Sequence, residues 1–177
     1  MEKITIRTIA YAGLLAALGV VLKSFLGIPL TMFGGLVKNI SLAPVPVIFG
    51  GILFGPVAGG LIGVVVDVAG YFLKPWGGYI PLFTLTMALY GVIPALFYLK
   101  KKQAKPSFAK LLLVVLLAQT ICSVILNTLW LVLIGYAFEA IAVTRLVSAA
   151  VSWPVYTLLL FVLIKYGVKA IGQPGQN

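Results

Sequence analysis

D-V-A-G-Y-F-L-K-P-W-G-G-Y-I-P-L-F, residues 67 to 83, puts a carboxylate inside an apolar helix, follows it with Tyr71 and Lys74, turns through Pro-Trp-Gly-Gly-Tyr and re-enters apolar sequence at Pro81. A carboxylate at bilayer depth costs about 2.5–3.5 kcal/mol on insertion scales, so such a residue faces a cavity or a partner rather than lipid. The remainder of the chain reads as the walls of that cavity.

Composition sets the solvent. The 177 residues are 62% hydrophobic and 9% charged, with a mean hydropathy of +1.18. A soluble domain is about 25% charged, so this is an integral membrane protein, and its length allows about six helices at roughly 20 residues per span. The net charge of +10 follows topology rather than nucleic acid, for which no role is expected. Lys3 and Arg7, then Lys100, Lys101, Lys102, Lys105 and Lys110, then Lys165 and Lys169 fall at three places that an even number of helices puts on one side. That side is expected to be cytoplasmic and to hold both termini. Cys122 is alone, which leaves no disulfide, and the absence of histidine argues against a zinc site, so neither metal nor cofactor is expected.

The expected architecture is a single all-α domain over residues 1–177, six transmembrane helices in a compact bundle. Their approximate ranges are Ile4–Leu26, Ser41–Phe54, Pro56–Lys74, Pro81–Leu99, Phe108–Tyr136 and Ile141–Tyr166. Ala12 and Ala16 lie one turn apart on the first helix, a spacing that lets another helix approach closely, from the same bundle or from another subunit. The Gly-rich segment Gly27–Ile40 is too broken for a span and reads as a loop on the outer side, able to close over a ligand, with Lys38 as a solvated cation or an anion contact. On the third helix Gly60, Gly63, Asp67, Gly70, Tyr71 and Lys74 share one face. The fourth carries Thr84, Thr86 and Tyr90, the fifth Gln119, Ser123, Asn127 and Trp130, and the sixth Arg145, Ser148, Ser152 and Tyr156.

Asp67, Asn127 and Arg145 are thereby expected in the outer half, ringed by Tyr71, Trp76, Tyr79, Phe83 and Trp130. A flat aromatic ligand with hydrogen-bonding edges and a negative tail suits such a pocket, with Asp67 or Asn127 reading N–H donors and Arg145 gripping a carboxylate. The competing reading pairs Asp67 with Arg145 inside the bundle. No G-x-x-x-x-G-K-[ST] motif supplies an energy source and no catalytic pair marks an enzyme. A small binder without a motor suggests a subunit that borrows one.

With these residues in view, the sequence resembles the substrate-binding S components of energy-coupling factor (ECF) vitamin transporters, folate-type members most of all. The likeness is carried by I-F-G-G-I-L-F-G-P-V-A-G-G-L-I-G at Ile48–Gly63, D-V-A-G-Y-F-L-K-P at Asp67–Pro75, G-G-Y-I-P-L-F-T-L-T at Gly77–Thr86, N-T-L-W-L at Asn127–Leu131, and Arg145 nine residues before Pro154. The resemblance implies a multi-pass subunit in a prokaryotic plasma membrane that binds a vitamin from outside. It further implies docking on a transmembrane coupling protein through the face of Ala12 and Ala16, with two cytoplasmic ATPases hydrolysing ATP. For folate, it places the pterin deep, near Asp67 and Asn127, and the glutamate carboxylates toward Arg145 and Lys38 or Lys74, with Thr84 among the contacts. Pantothenate, riboflavin or a thiamin precursor is the alternative within the class. Outside it stands a self-sufficient carrier using Asp67 to move protons.

Overall fold

The computed structural model describes residues 6–25, 28–32, 35–75, 78–99, 107–135 and 137–171. In chain order these are α1 (Ile6–Phe25), a hairpin of β1 (Ile28–Met32) and β2 (Gly35–Ile40), α2 (Pro44–Phe54), α3 (Pro56–Leu73), α4 (Pro81–Leu99), α5 (Phe108–Gln119), a π-helical segment Thr120–Leu126 leading into α6 (Asn127–Leu133), and α7 (Phe138–Ile171). The segment Phe108–Leu133 is one continuous rod, so the molecule is a six-rod helical bundle with one hairpin. Among the described residues five stretches are long and apolar enough to cross a membrane: Ile6–Phe25, Pro56–Leu73, Pro81–Tyr98, Phe108–Leu133 and Arg145–Tyr166. Large apolar side chains including Leu14, Leu61, Phe72, Leu113, Leu133 and Leu158 are exposed around the outside, as a bundle solvated by lipid requires.

The second rod departs from the expected span. α2 has 11 residues, about 16 Å of helix against a hydrocarbon core of about 30 Å. Gly19 of α1 packs against both Val66 of α3 and Pro46 of α2, so the first turn of α2 lies at the depth of Asp67. Ahead of α2 stands the β1–β2 hairpin, where a loop was expected. Ile28 pairs with Ile40, Leu30 with Lys38 and Met32 with Gly35, with a register irregularity between Leu30 and Thr31. Glycine content argues for a loop, but pairing two short strands lets their backbone N–H and C=O groups satisfy one another. β2 packs on α7.

α7 extends beyond Ile141–Tyr166 at both ends. Hydropathy marks where a helix leaves the bilayer, not where it stops, and the polar residues at its ends continue the same helix.

Glycine brings α2, α3 and α4 into backbone contact. A Cβ on Gly51 would sit 2.1 Å from the Gly91 carbonyl oxygen, one on Gly91 would sit 2.2 Å from the Gly59 oxygen, and one on Gly63 would sit 2.3 Å from the Met87 oxygen. Without a hydrophobic drive between helices in lipid, this close van der Waals approach holds the bundle together. Gly55, at φ 90°, makes the tight turn from α2 to α3 that only glycine adopts without strain.

Small residues on α1 divide between two faces. Ala16 is buried in the core of this chain and Ala12 packs against that core, so their spacing serves the bundle itself. Ala10, Gly13 and Ala17 are the exposed small residues of the helix.

Candidate ligand-binding site

Asp67, the chain's only aspartate, is buried on α3 and both of its carboxylate oxygens are engaged. Lys23 of α1 donates to Oδ1 at 2.5 Å and to the Asp67 backbone carbonyl at 3.0 Å. Thr84 of α4 donates to Oδ2 at 2.6 Å. Its hydroxyl hydrogen being spent there, Thr84 Oγ1 accepts from the Tyr79 hydroxyl at 2.7 Å. A single carboxylate thus ties together α1, α3, α4 and the segment between α3 and α4. Lys74, at the end of α3, donates to the Ser24 carbonyl at 3.3 Å and fastens α1 a second time.

Lys23 reaches its partner because of Gly70. A Cβ at Gly70 would lie 2.6 Å from Lys23 Cδ, so the apolar stem of the lysine rests in the notch that this glycine leaves. The expected face Gly63–Asp67–Gly70 is therefore a packing surface whose last glycine admits a cation from the neighbouring helix.

These groups border a cavity of about 360 Å³ lined by Lys23, Asp67, Tyr71, Lys74, Gly78, Tyr79, Ile80 and Phe83. The volume lies in the range of small-molecule sites, about 300–1,000 Å³. Tyr71 and Tyr79 pack with ring centroids 5.1 Å apart at 56°, giving the cavity an aromatic wall.

The remaining expected residues stand elsewhere. Asn127, Trp130 and Arg145 do not line this cavity. Trp130 donates to Thr86 Oγ1 at 3.0 Å, which links α6 to α4. Asn127 Oδ1 and Arg145 Nε are buried without a hydrogen-bond partner. Arg145 belongs to a second polar cluster, where Tyr90 of α4 donates to Gln119 Oε1 at 2.6 Å, Tyr156 donates to the Ser41 carbonyl, and Tyr90 lies within electrostatic reach of Arg145 and Tyr156. The proposed Asp67–Arg145 pair does not form, because Lys23 and Thr84 occupy the carboxylate. Lys38 lies on β2, and Trp76 falls outside the described residues.

Lys23 is the residue that the sequence reading passed over. A lysine in the last turn of an apolar helix has an ordinary explanation in the helix dipole and in snorkelling. The available signal was arithmetic: one aspartate in the sequence, and few cations outside the three lysine-rich clusters able to neutralise it, Lys23 among them. The π segment explains a second departure. Buried positions run 111, 114, 115, 118, 119, 122 and 123, then jump to 128 instead of 127. The extra residue in the π turn rotates the stripe, leaving Asn127 at its edge.

A multi-helix membrane protein with a charged, aromatic-walled cavity partly open to the outside of the molecule has the build of a membrane subunit that holds a small solute. This chain belongs to the family of ECF-type riboflavin transporter S components, whose profile matches residues 3–169, and it is a transport component rather than an enzyme. It is 31% identical over 162 residues to the folate transporter FolT of Clostridium novyi (strain NT), covering 91% of this chain and 88% of that protein. Its structure is similar to the crystal structure of FolT bound with folic acid, with a TM-score of 0.76 and 32% identity over 92% of this chain and 95% of the other.

Proposed function

We infer that this chain is the folate-binding subunit of an ECF-type importer in a prokaryotic plasma membrane, one domain with both termini cytoplasmic. The observation that carries this reading is the cavity itself. Lys23 neutralises Asp67, so the remaining charge at the cavity is the exposed Lys74 ammonium. A donor-bearing heterocycle with an anionic tail matches that arrangement. Riboflavin, after which the family profile is named, has a similar ring edge but no anionic tail for Lys74 to hold. The likeness to FolT proteins over nearly the whole chain supports the same choice.

In this reading the pterin lies between Tyr71, Tyr79 and Phe83 with its N–H edge at Asp67, supported by Thr84. The glutamate carboxylates run toward Lys74 and Lys38. Asn127, Trp130 and Arg145 stand outside this cavity as a further set of candidate contacts, and the unpartnered Asn127 Oδ1 and Arg145 Nε have hydrogen-bonding capacity for a ligand that extends to them. The ligand would pass inward with ATP hydrolysed by partner ATPases, the coupling protein docking on α1 beside Ala12 and Ala16, where Gly13 and Ala17 are exposed. The proton-carrier alternative loses support from the Asp67 carboxylate being held by both Lys23 and Thr84.

Equilibrium binding of radiolabelled folic acid to the detergent-purified chain tests the proposal. Saturable binding displaced by unlabelled folic acid and not by riboflavin is expected; no saturable binding of folic acid together with saturable binding of labelled riboflavin would assign the protein to riboflavin instead.

A further inference from the structure

The Lys23–Asp67 pair has unused hydrogen-bonding capacity on both partners, side by side on one cavity wall. An ammonium has three N–H bonds, and two of those on Lys23 go to the Asp67 carbonyl and Oδ1. A carboxylate has about four acceptor positions, of which Lys23 and Thr84 use one each. Both side chains line the cavity. The wall therefore offers a donor immediately beside an acceptor, fixed by Gly70 beneath the lysine stem and by Thr84 and Tyr79 behind the carboxylate.

That pattern is the complement of a lactam edge, in which a ring C=O and a ring N–H are neighbours. We propose that Lys23 and Asp67 act as a unit that reads this edge, Lys23 donating to the ring oxygen while Asp67 accepts from the ring N–H, and that Lys23 makes the site select an oxo over an amino substituent there. The pair is not broken by the ligand. It widens enough for the two ring atoms to bridge it. Replacing the ring oxygen by an amino group also leaves the neighbouring ring nitrogen without its hydrogen, so an N–H donor faces the Lys23 ammonium and a lone pair faces the Asp67 carboxylate; the Lys23 half of that mismatch is the part assigned to the lysine. Arg145 and Lys74 bear on the anionic tail and have no part in this discrimination.

The inference rests on the folate reading and deepens it. Its test uses two ligands that differ at that substituent alone: folic acid and 4-amino-4-deoxyfolic acid, measured by competition against labelled folic acid on the purified chain. Wild type is expected to prefer folic acid by about tenfold or more, in line with a hydrogen bond to a charged group. Lys23→Met is expected to bind folic acid more weakly and to lose the share of the preference that Lys23 supplies, the share read by Asp67 remaining, whereas Lys23→Arg, which keeps a charged donor, retains the full ratio. A lysine with a purely structural role would weaken both ligands equally and leave the ratio unchanged, and that result would overturn the proposal. Gly70→Ala, which displaces the lysine stem without removing its charge, gives a second reading of the same ratio should Lys23→Met fail to fold; an unaltered ratio there would count against the proposal equally. If wild type binds neither ligand, the folate reading itself falls; if it binds both alike, that reading stands and the role of Lys23 does not.

Discussion

Lys23 lies across α3 at Gly70, in a notch where a Cβ would come within 2.6 Å of its Cδ. The crowded atom belongs to a flexible stem, so a methyl group at position 70 moves the lysine and not the helix. Gly70→Ala is accordingly expected to change thermal stability in detergent by less than about 1 kcal/mol, since alanine's better helix propensity offsets part of the strain. Folic acid affinity is expected to fall about tenfold, because the Lys23 ammonium no longer settles beside Asp67. Paired unfolding and binding curves would check this, and a loss of stability with unchanged affinity would show that the notch serves packing alone.

The contact between α3 and α4 has no such tolerance. A Cβ on Gly91 would meet the backbone oxygen of Gly59 at 2.2 Å, and backbone cannot swing aside. Gly91→Ala must push the two helices apart, at an expected loss of about 1–3 kcal/mol, visible as a lowered unfolding midpoint. Gly13 meets nothing within 4 Å, so Gly13→Ala should leave the midpoint unchanged or slightly higher. Equal behaviour of the two variants would contradict backbone packing as the source of cohesion.

The helical bundle, the buried carboxylate and the aromatic side chains Tyr71, Tyr79 and Phe83 beside it were legible because apolar runs, one charge within them and turn residues are all local signals. Three features were not. Lys23 meets Asp67 from 44 positions away in sequence, and nothing near Lys23 announces that partner. The β1–β2 hairpin is concealed by its glycines, which read as breaks although the two short strands pair through their backbones. The π segment Thr120–Leu126 shifts the inward stripe by one residue, and no α-helical periodicity can anticipate that. The expected single ring of Asp67, Asn127 and Arg145 consequently separates into a cavity cluster and a second cluster around Tyr90, Gln119 and Tyr156.

That second cluster should behave as a coupled network. Tyr90 donates to Gln119 Oε1 at 2.6 Å with both residues buried. Gln119→Leu removes the acceptor of the Tyr90 hydroxyl and Tyr90→Phe removes the donor to the amide oxygen, each at an expected cost of about 1–3 kcal/mol. The double variant Tyr90→Phe/Gln119→Leu removes both partners and should cost less than the sum of the two. Strict additivity in a thermodynamic cycle of unfolding would indicate that the bond contributes nothing in the folded state.

Arg145 supplies the sharpest contrast between stability and function. Its side chain is buried at 6% exposure, its Nε has no hydrogen-bond partner, and the chain's only aspartate is committed to Lys23. A desolvated charge so poorly compensated does not stabilise a bundle; a well-packed apolar residue of similar length commonly does better. Arg145→Met is therefore expected to hold or raise the unfolding midpoint of the ligand-free protein. If Arg145 is retained to meet a carboxylate of the ligand, the same substitution should weaken folic acid binding by about tenfold or more, and leave a pterin that lacks the glutamate tail unaffected. The two readouts then move in opposite directions. A fall in stability with intact affinity would return Arg145 to a structural role and confine the binding site to the cavity around Asp67.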